Sequence, residues 1–232
     1  MMYDVAVVKY EKPLESLRRA VDLAGGLGDV SGGSKVFIKP NFCIWHEGVA
    51  FPKYGVLTTA RLIEDMVILL KERGASDITI GEGVAEYVTK SDSESTFHLI
   101  AKGMGLDILR DRYGVALIDV HRSPFSKVSA DGVTLSVNKD FLDADYTVNM
   151  PVLKTHAYTM VSLGIKNLKG LLNTASRKKC HDADESKGLD YHLSRMPALL
   201  TPSLNIIDGV YTCERGPIYS GDAHRTDVIT AS

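Results

Sequence analysis

Short runs rich in valine and isoleucine alternate with stretches of helical periodicity, and no other feature constrains the fold of this chain as strongly. The runs YDVAVVKY, SKVFIKPN, SDITIGEG and GVALIDV are each bounded by Gly, Pro, Ser or Asp, the pattern of strands buried on both faces. Between the first two, PLESLRRAVDLAGGLG sets Leu14, Leu17, Val21 and Leu23 near one helical face, with Pro13 suited to the first turn and Gly25 and Gly26 to the stop. Between the second and third, TTARLIEDMVILLKERGA offers Thr58 or Thr59 as a cap and Gly74 as terminator. Strand, helix and strand joined by short connections predict parallel pairing with right-handed crossovers.

After Val120 the pattern changes. KVSADGVTLSV places Ala130, Asp131 and Gly132 between two alternating segments, which predicts an antiparallel hairpin. FLDADYTVNMP reads as another core strand, a helix is expected within Tyr158 to Leu172, SLNIIDGVY reads as a further buried strand, and RTDVITAS begins one more. The expected class is α/β: a mostly parallel sheet flanked by helices, with an antiparallel hairpin insertion, in a single domain over residues 1–232. A last strand with no helix after it predicts either a partner over its edge or a chain that continues.

Charge is where chemistry enters. The net charge of −2 gives no global field toward nucleic acid or an anionic membrane, so neither is an expected partner. Locally the balance is different: from Tyr146 to His181 there is no Asp or Glu, while Lys154, Lys166, Lys169, Arg177, Lys178 and Lys179 accompany His156 and His181. Acids resume with Asp182, Asp184 and Glu185, so one reading is a solvated basic face neutralised by its neighbours. The other reading is a ligand site. Parallel sheets bind ligands outside the carboxyl ends of their strands, and VFIKPN and TVNMPVLKTH each deliver a lysine there, Lys39 and Lys154. In SLGIKNLKG, Lys166 and Lys169 fall three apart on a helix with Asn167 between them. Like charges so placed repel, and a bound anion would relieve that cost.

A carboxylate or phosphate is the partner such a cluster implies. Neither the G-x-x-x-x-G-K-[ST] loop nor the G-x-G-x-x-G fingerprint is present, so neither standard nucleotide route is indicated. Glu82, at a strand end, is either a counter-ion for one of these lysines or a base. His156 follows Lys154 by two residues, which in extended chain points both to one side. A lysine in a cationic cleft has a depressed pKa and can serve as base or nucleophile, so Lys154, His156 and Glu82 are the candidate catalytic groups. Proton transfer beside a carboxylate, in an isomerase or lyase, suits them better than hydrolysis, since there is no G-x-S-x-G elbow and no H-E-x-x-H helix.

Cys43, Cys180 and Cys213 are widely spaced, which argues against a disulfide framework or a self-contained cluster and for a reducing cytoplasm. Cys43 with His46, Cys180 with His181, and His156 supply donors for a mixed metal site, but no spacing is diagnostic and no metal is expected. Trp45 and Phe51 are candidates to shield a ligand from water. No export signal and no run of about 18 apolar residues is found, so membrane insertion is not expected.

On these residues the sequence resembles the domain-of-unknown-function 362 family, through VFIKPNF, LTTARLIEDMVILLKERGASDITIGEG, DADYTVNMPVLKTHAYTMVSLGIKNLKGLL and LNIIDGVYTCERGPIYSG. The resemblance singles out Lys39, Asn41, Glu82, Lys154, His156, Lys166, Asn167, Gly170, Asp208 and Gly209, and His181 more loosely. The candidate ligand-binding residues are Lys39, Asn41, Lys166, Asn167, Lys169 and His181. Many members carry an appended ferredoxin-like segment with iron–sulfur cysteine motifs, which this sequence lacks, and the chain stops before the family's usual continuation. Where members have Thr-Asp-Pro ahead of the long helix, this chain reads Leu57, Thr58, Thr59, so a role for that aspartate does not carry over. The association with iron–sulfur proteins keeps a second function open, a module that docks an acidic electron carrier. A third is a noncatalytic domain whose lysines pair with its own acids. The resident cofactor and the oligomeric state are unknown from sequence.

Overall fold

The computed structural model describes residues 4–43, 54–85, 95–181, 187–215 and 221–232. Strand β1 (Ala6–Lys9) leads through helix α1 (Glu15–Leu23) to β2 (Lys35–Pro40), and helix α2 (Ala60–Glu72) leads on to β3 (Asp77–Glu82). Helices α3 (Thr96–Gly103) and α4 (Asp107–Tyr113) make the crossover to β4 (Ala116–Asp119). The hairpin β5 (Phe125–Ala130) and β6 (Val133–Asn138) follows, then a helical turn α5 (Lys139–Leu142) and strands β7 (Tyr146–Met150), β8 (Val152–His156) and β9 (Met160–Ser162). Helices α6 (Gly164–Asn167), α7 (Thr174–His181) and α8 (Leu189–Leu199) come before β10 (Leu204–Glu214) and β11 (Asp222–Ala231).

The main sheet has the order β1-β11-β10-β7-β2-β3-β4. From β10 to β4 neighbours pair in parallel, and β11 is antiparallel to both β10 and β1. The fold class is thus the expected one, hairpin included. Its turn places Asp131 and Gly132 at φ 49° and 75°, the left-handed pair that a two-residue hairpin loop requires. The last strand differs from expectation. It is no open edge, because Ala231 lies opposite both Ala6 and Ile206, so β1 stands at the border instead. β1 also does not pair with β2, from which β11, β10 and β7 separate it.

The central strands β2 and β7 are buried on both faces. On β2, Val36 and Ile38 join a cluster with Leu17 of α1 and Leu62, Ile63 and Met66 of α2, while Phe37 joins a second cluster with Val120, Val137, Phe141, Leu171 and Met196. Strand alternation therefore sends Lys39 to the Phe37 side, where there is no solvent to meet it.

Two features open a site at one end of this sheet. From β2 the chain builds outward to β3 and β4, then returns to place β7 on the opposite side of β2, so β2 and β7 flank a topological switch point. Beyond Pro151 the chain leaves β2: β7 aligns with β2 up to Met150, whereas β8 aligns with β10 at Asp208 and Cys213 and with β9 on its other side. A proline cannot donate to the ladder, and the departing strand leaves a gap at the carboxyl end of β2.

The helix expected within Tyr158 to Leu172 is broken up. Met160–Ser162 is a strand on β8, Gly164–Asn167 is one α turn, and Leu168–Leu171 is a 3-10 turn. Tertiary bonds decide this, since the Asn167 amide is held by β2 and by Asn149 of β7 and cannot follow a regular helical face. α7 and α8 cover the second cluster, and neither was foreseen from the sequence.

Candidate functional site

The floor of the site is an ion pair sealed inside the protein. Lys39 is fully buried and Glu82 is 2% exposed. Lys39 Nζ donates to Glu82 Oε2 at 2.5 Å, to the Pro40 carbonyl at 2.7 Å and to Asn167 Oδ1 at 3.3 Å. Three acceptors for three N–H groups suit an ammonium. Burial pulls the pKa of Lys39 down and the Glu82 carboxylate opposes that pull. Gly170 makes the packing possible, because a Cβ there would lie 1.9 Å from Glu82 Oε1 and 2.6 Å from Lys39 Cε. Glu82 Oε1 is buried and has no hydrogen-bond partner among the described residues.

From this floor a chain of amides leads to the second strand-end lysine. Asn41 Nδ2 donates to Asn167 Oδ1 at 3.0 Å, and Lys154 Nζ donates to Asn41 Oδ1 at 2.6 Å and to the Val56 carbonyl at 2.8 Å. Asn167 Nδ2 in turn donates to Asn149 Oδ1 at 2.8 Å. Lys39 and Lys154, from strands separated in sequence, are thereby tied into one polar network.

Above the network lies a cavity of about 660 Å³. β8 contributes Lys154 and His156; the α6 and 3-10 turns contribute Lys166, Asn167 and Lys169; α7 contributes Arg177 and His181. Asn41 and Glu82 line it as well. Lys39 is not among the lining residues and stays behind the wall, so any action it has on a ligand passes through Glu82 and Asn167. Asp208 and Gly209 lie elsewhere. Asp208 is fully buried and accepts from the backbone N–H of Thr59 at 2.6 Å and of Val210 at 3.0 Å, so it serves the amino end of α2. Trp45, His46 and Phe51 fall outside the described residues.

The cavity is electrostatically strained. Burial and the surrounding ammonium groups hold His156 down at about 4, so it is neutral at physiological pH. Its Nδ1 accepts from the Tyr158 backbone N–H at 3.1 Å, which leaves the proton on Nε2. Lys166 is lowered to about 8 by burial, with Lys154 and Arg177 adding to the effect. Lys169 is lowered to about 8 by burial and by Lys166. His181 is likewise lowered, by burial and then by Lys169, Lys166 and Arg177, and its Nε2 receives the Lys169 ammonium.

Arg177 and His121 line the cavity and were not singled out. Arg177 donates to the carbonyls of Gly83 and Lys169, with Nε 3.1 Å from the latter, and so braces the two backbone segments that enclose the Lys39–Glu82 pair. His121 Nε2 lies 2.9 Å from the Val84 carbonyl and 3.0 Å from Arg177 Nη1. His121 follows β4 directly, and the strand-end rule that found Lys39 and Lys154 would have found it. Cys43 also lines the cavity, while Cys180 and Cys213 are buried. Among the described residues no group of three His, Cys, Asp or Glu side chains is placed to hold a metal ion. No helix of the described residues is long and apolar enough to cross a membrane.

A thylakoid-associated protein of Synechocystis sp. is 24% identical over 223 residues, which are 94% of this chain and 65% of that protein. The apoprotein of lactate racemase from Thermoanaerobacterium thermosaccharolyticum superposes with a TM-score of 0.57 at 16% identity, over 94% of this chain and 53% of that one. A Thermotoga maritima protein superposes with a TM-score of 0.45 at 12% identity, over 92% of this chain and 54% of that one. The chain therefore spans less than two thirds of the length of these relatives, and the lactate racemase likeness identifies a shared fold. The family model described as domain of unknown function DUF362 matches residues 36–232, and with that match over most of its length the chain belongs to the DUF362 family.

Proposed function

We propose that the cavity binds a small carboxylate or phosphate, and that the domain is an enzyme moving a proton beside it, as an isomerase or a lyase does. One observation carries this reading: Lys154, Lys166, Lys169 and Arg177 face a common hollow whose one acidic lining residue among those described, Glu82, is already engaged by Lys39. Among the described residues no further carboxylate lines the hollow to balance Lys154, Lys166 and Lys169, and a bound anion would supply that charge. If the lysines were purely structural, each would meet a buried carboxylate. Lys154 meets an amide and a carbonyl instead. The cations also face inward, which favours a small ligand over a docked electron carrier.

Roles follow from the contacts. Lys154 is a fixed charge held by Asn41 and the Val56 carbonyl. Neutral His156 presents Nε2–H to the ligand, and it becomes a base only on releasing the Tyr158 amide. Glu82 acts as counter-ion to Lys39 rather than as a base, since its free oxygen is covered by Gly170. Lactate racemase is by name an isomerase of a small carboxylate, the reaction class proposed here, although the proposal rests on the cavity. The test is thermal unfolding with a panel of carboxylates and phosphate. A ligand at about a hundred times its dissociation constant stabilises by about 2.7 kcal/mol, and Lys154→Ala combined with Lys166→Ala abolishes that response. A panel in which no anion raises the midpoint refutes the reading.

A further inference from the structure

Lys166 differs from the other lysines of the cavity. Lys154 spends its ammonium on Asn41 and the Val56 carbonyl, and Lys169 spends its own on His181. Lys166 lines the same hollow, yet it makes no hydrogen bond or ion pair among the described residues. The groups that face it are Lys154 from β8, Arg177 from α7, Lys169 from its own segment, the two imidazoles His156 and His181, and Cys43 after β2. Only Cys43 favours its charged form. An amine with no fixed acceptor among the described residues, partly buried in a cationic pocket, has an available lone pair.

We propose that Lys166 is a covalent nucleophile that forms an imine with a small carbonyl compound bearing an anionic group, such as an α-keto acid. The proposal rests on the cavity being an anion site, with the anionic group held by the remaining cations and the carbonyl carbon turned to Lys166 Nζ. The neutral amine attacks that carbon, a C–N bond forms, the carbonyl π pair moves to oxygen, and the proton that the now cationic nitrogen gives up passes to that oxygen to leave a neutral carbinolamine. The nitrogen lone pair then expels the hydroxyl as water, with a proton drawn from the Lys169–His181 pair, and a protonated imine remains. No oxidant or metal is required. The iminium so formed withdraws electrons from the carbon on its far side from the carboxylate, and so labilises a proton there. This gives the proton-transfer reading a chemical means.

The experiment uses the intact chain, pyruvate and glyoxylate as charged carbonyl probes, acetaldehyde as an uncharged one, and borohydride to trap imines, with adducts located by peptide mass mapping. The expected result is a reduced adduct concentrated at Lys166, favoured about tenfold for glyoxylate over acetaldehyde through local charge. It is suppressed by inorganic phosphate and grows as the pH is brought up through about 8. Lys166→Arg keeps the charge and removes the nucleophile, so it loses the adduct while phosphate still raises its unfolding midpoint. Should phosphate raise the midpoint of the wild-type chain while adducts spread over exposed lysines and spare Lys166, the imine is refuted and the anion site stands. If no anion shifts the midpoint and Lys166 stays unmodified, both readings fall. Because mapping is done on the wild-type protein, a variant that fails to fold leaves the test intact.

Discussion

Lys39 and Lys166 stand at the same end of the sheet, a few residues from the same amide, and they resolve the problem of a buried charge in opposite ways. Lys39 is sealed against Glu82, with every ammonium proton given an acceptor. Lys166 is left among other cations with its pKa lowered to about 8. Desolvating a charge is costly unless it is paired, so the first arrangement settles the cost within the fold. The second leaves it outstanding, and a ligand can settle it. A cation that has been neutralised internally supports the architecture, and one that has not is available for chemistry.

The comparison can be broken most sharply at the sealed pair. Glu82→Gln strands the Lys39 ammonium in the interior and should cost about 3–5 kcal/mol in urea unfolding, and Lys39→Met with Glu82→Gln should recover much of that loss. A cost for Glu82→Gln no larger than for an exposed residue would mean that the pair is not sealed. Next in size is Gly170→Ala, which forces a methyl group toward Glu82 Oε1 and should cost about 1–3 kcal/mol through overpacking. At the open cluster the expectation reverses. Lys166→Met should make the chain no less stable than wild type in urea unfolding, since it removes a desolvated charge and its like-charge repulsion, while the midpoint rise with phosphate is lost.

The smallest effect is on pH dependence. Lys166 and Lys169 titrate near 8 in the folded chain against an ordinary 10.5. Between those values the unfolded chain holds more protons than the folded one, so stability rises with pH across that window, and the full penalty is present below it. Replacing both lysines by methionine should flatten this rise. His156 contributes in the same sense on the acid side, with stability rising from about 4 to 6.5. Anion binding runs the other way, weakening as the lysines lose their charge above about 8.

Much of this was legible in the sequence because strands, helices and charge runs are local patterns. Val36 to Ile38 and Ile78 to Ile80 announce strands by composition, the Asp131–Gly132 turn announces its hairpin, and the acid-free stretch from Tyr146 to His181 announces the cationic wall. The helix expected within Tyr158 to Leu172 failed because Asn167 is bonded to β2 and β7, partners that no periodicity encodes. Arg177 was legible as charge but not as a brace, since the carbonyls it holds come from Gly83 and Lys169.

By itself the sequence determined that this chain makes a parallel sheet with lysines at its carboxyl ends, because period and composition act over a few residues. Only the tertiary structure decided which lysine is neutralised by a carboxylate and which stands among other cations. That choice depends on Glu82 reaching Lys39 across 43 positions of sequence, and on β8 leaving β2 at Pro151 to open a space beside them. Burial and pairing are properties of the assembled sheet end, where desolvation gives each charge its cost.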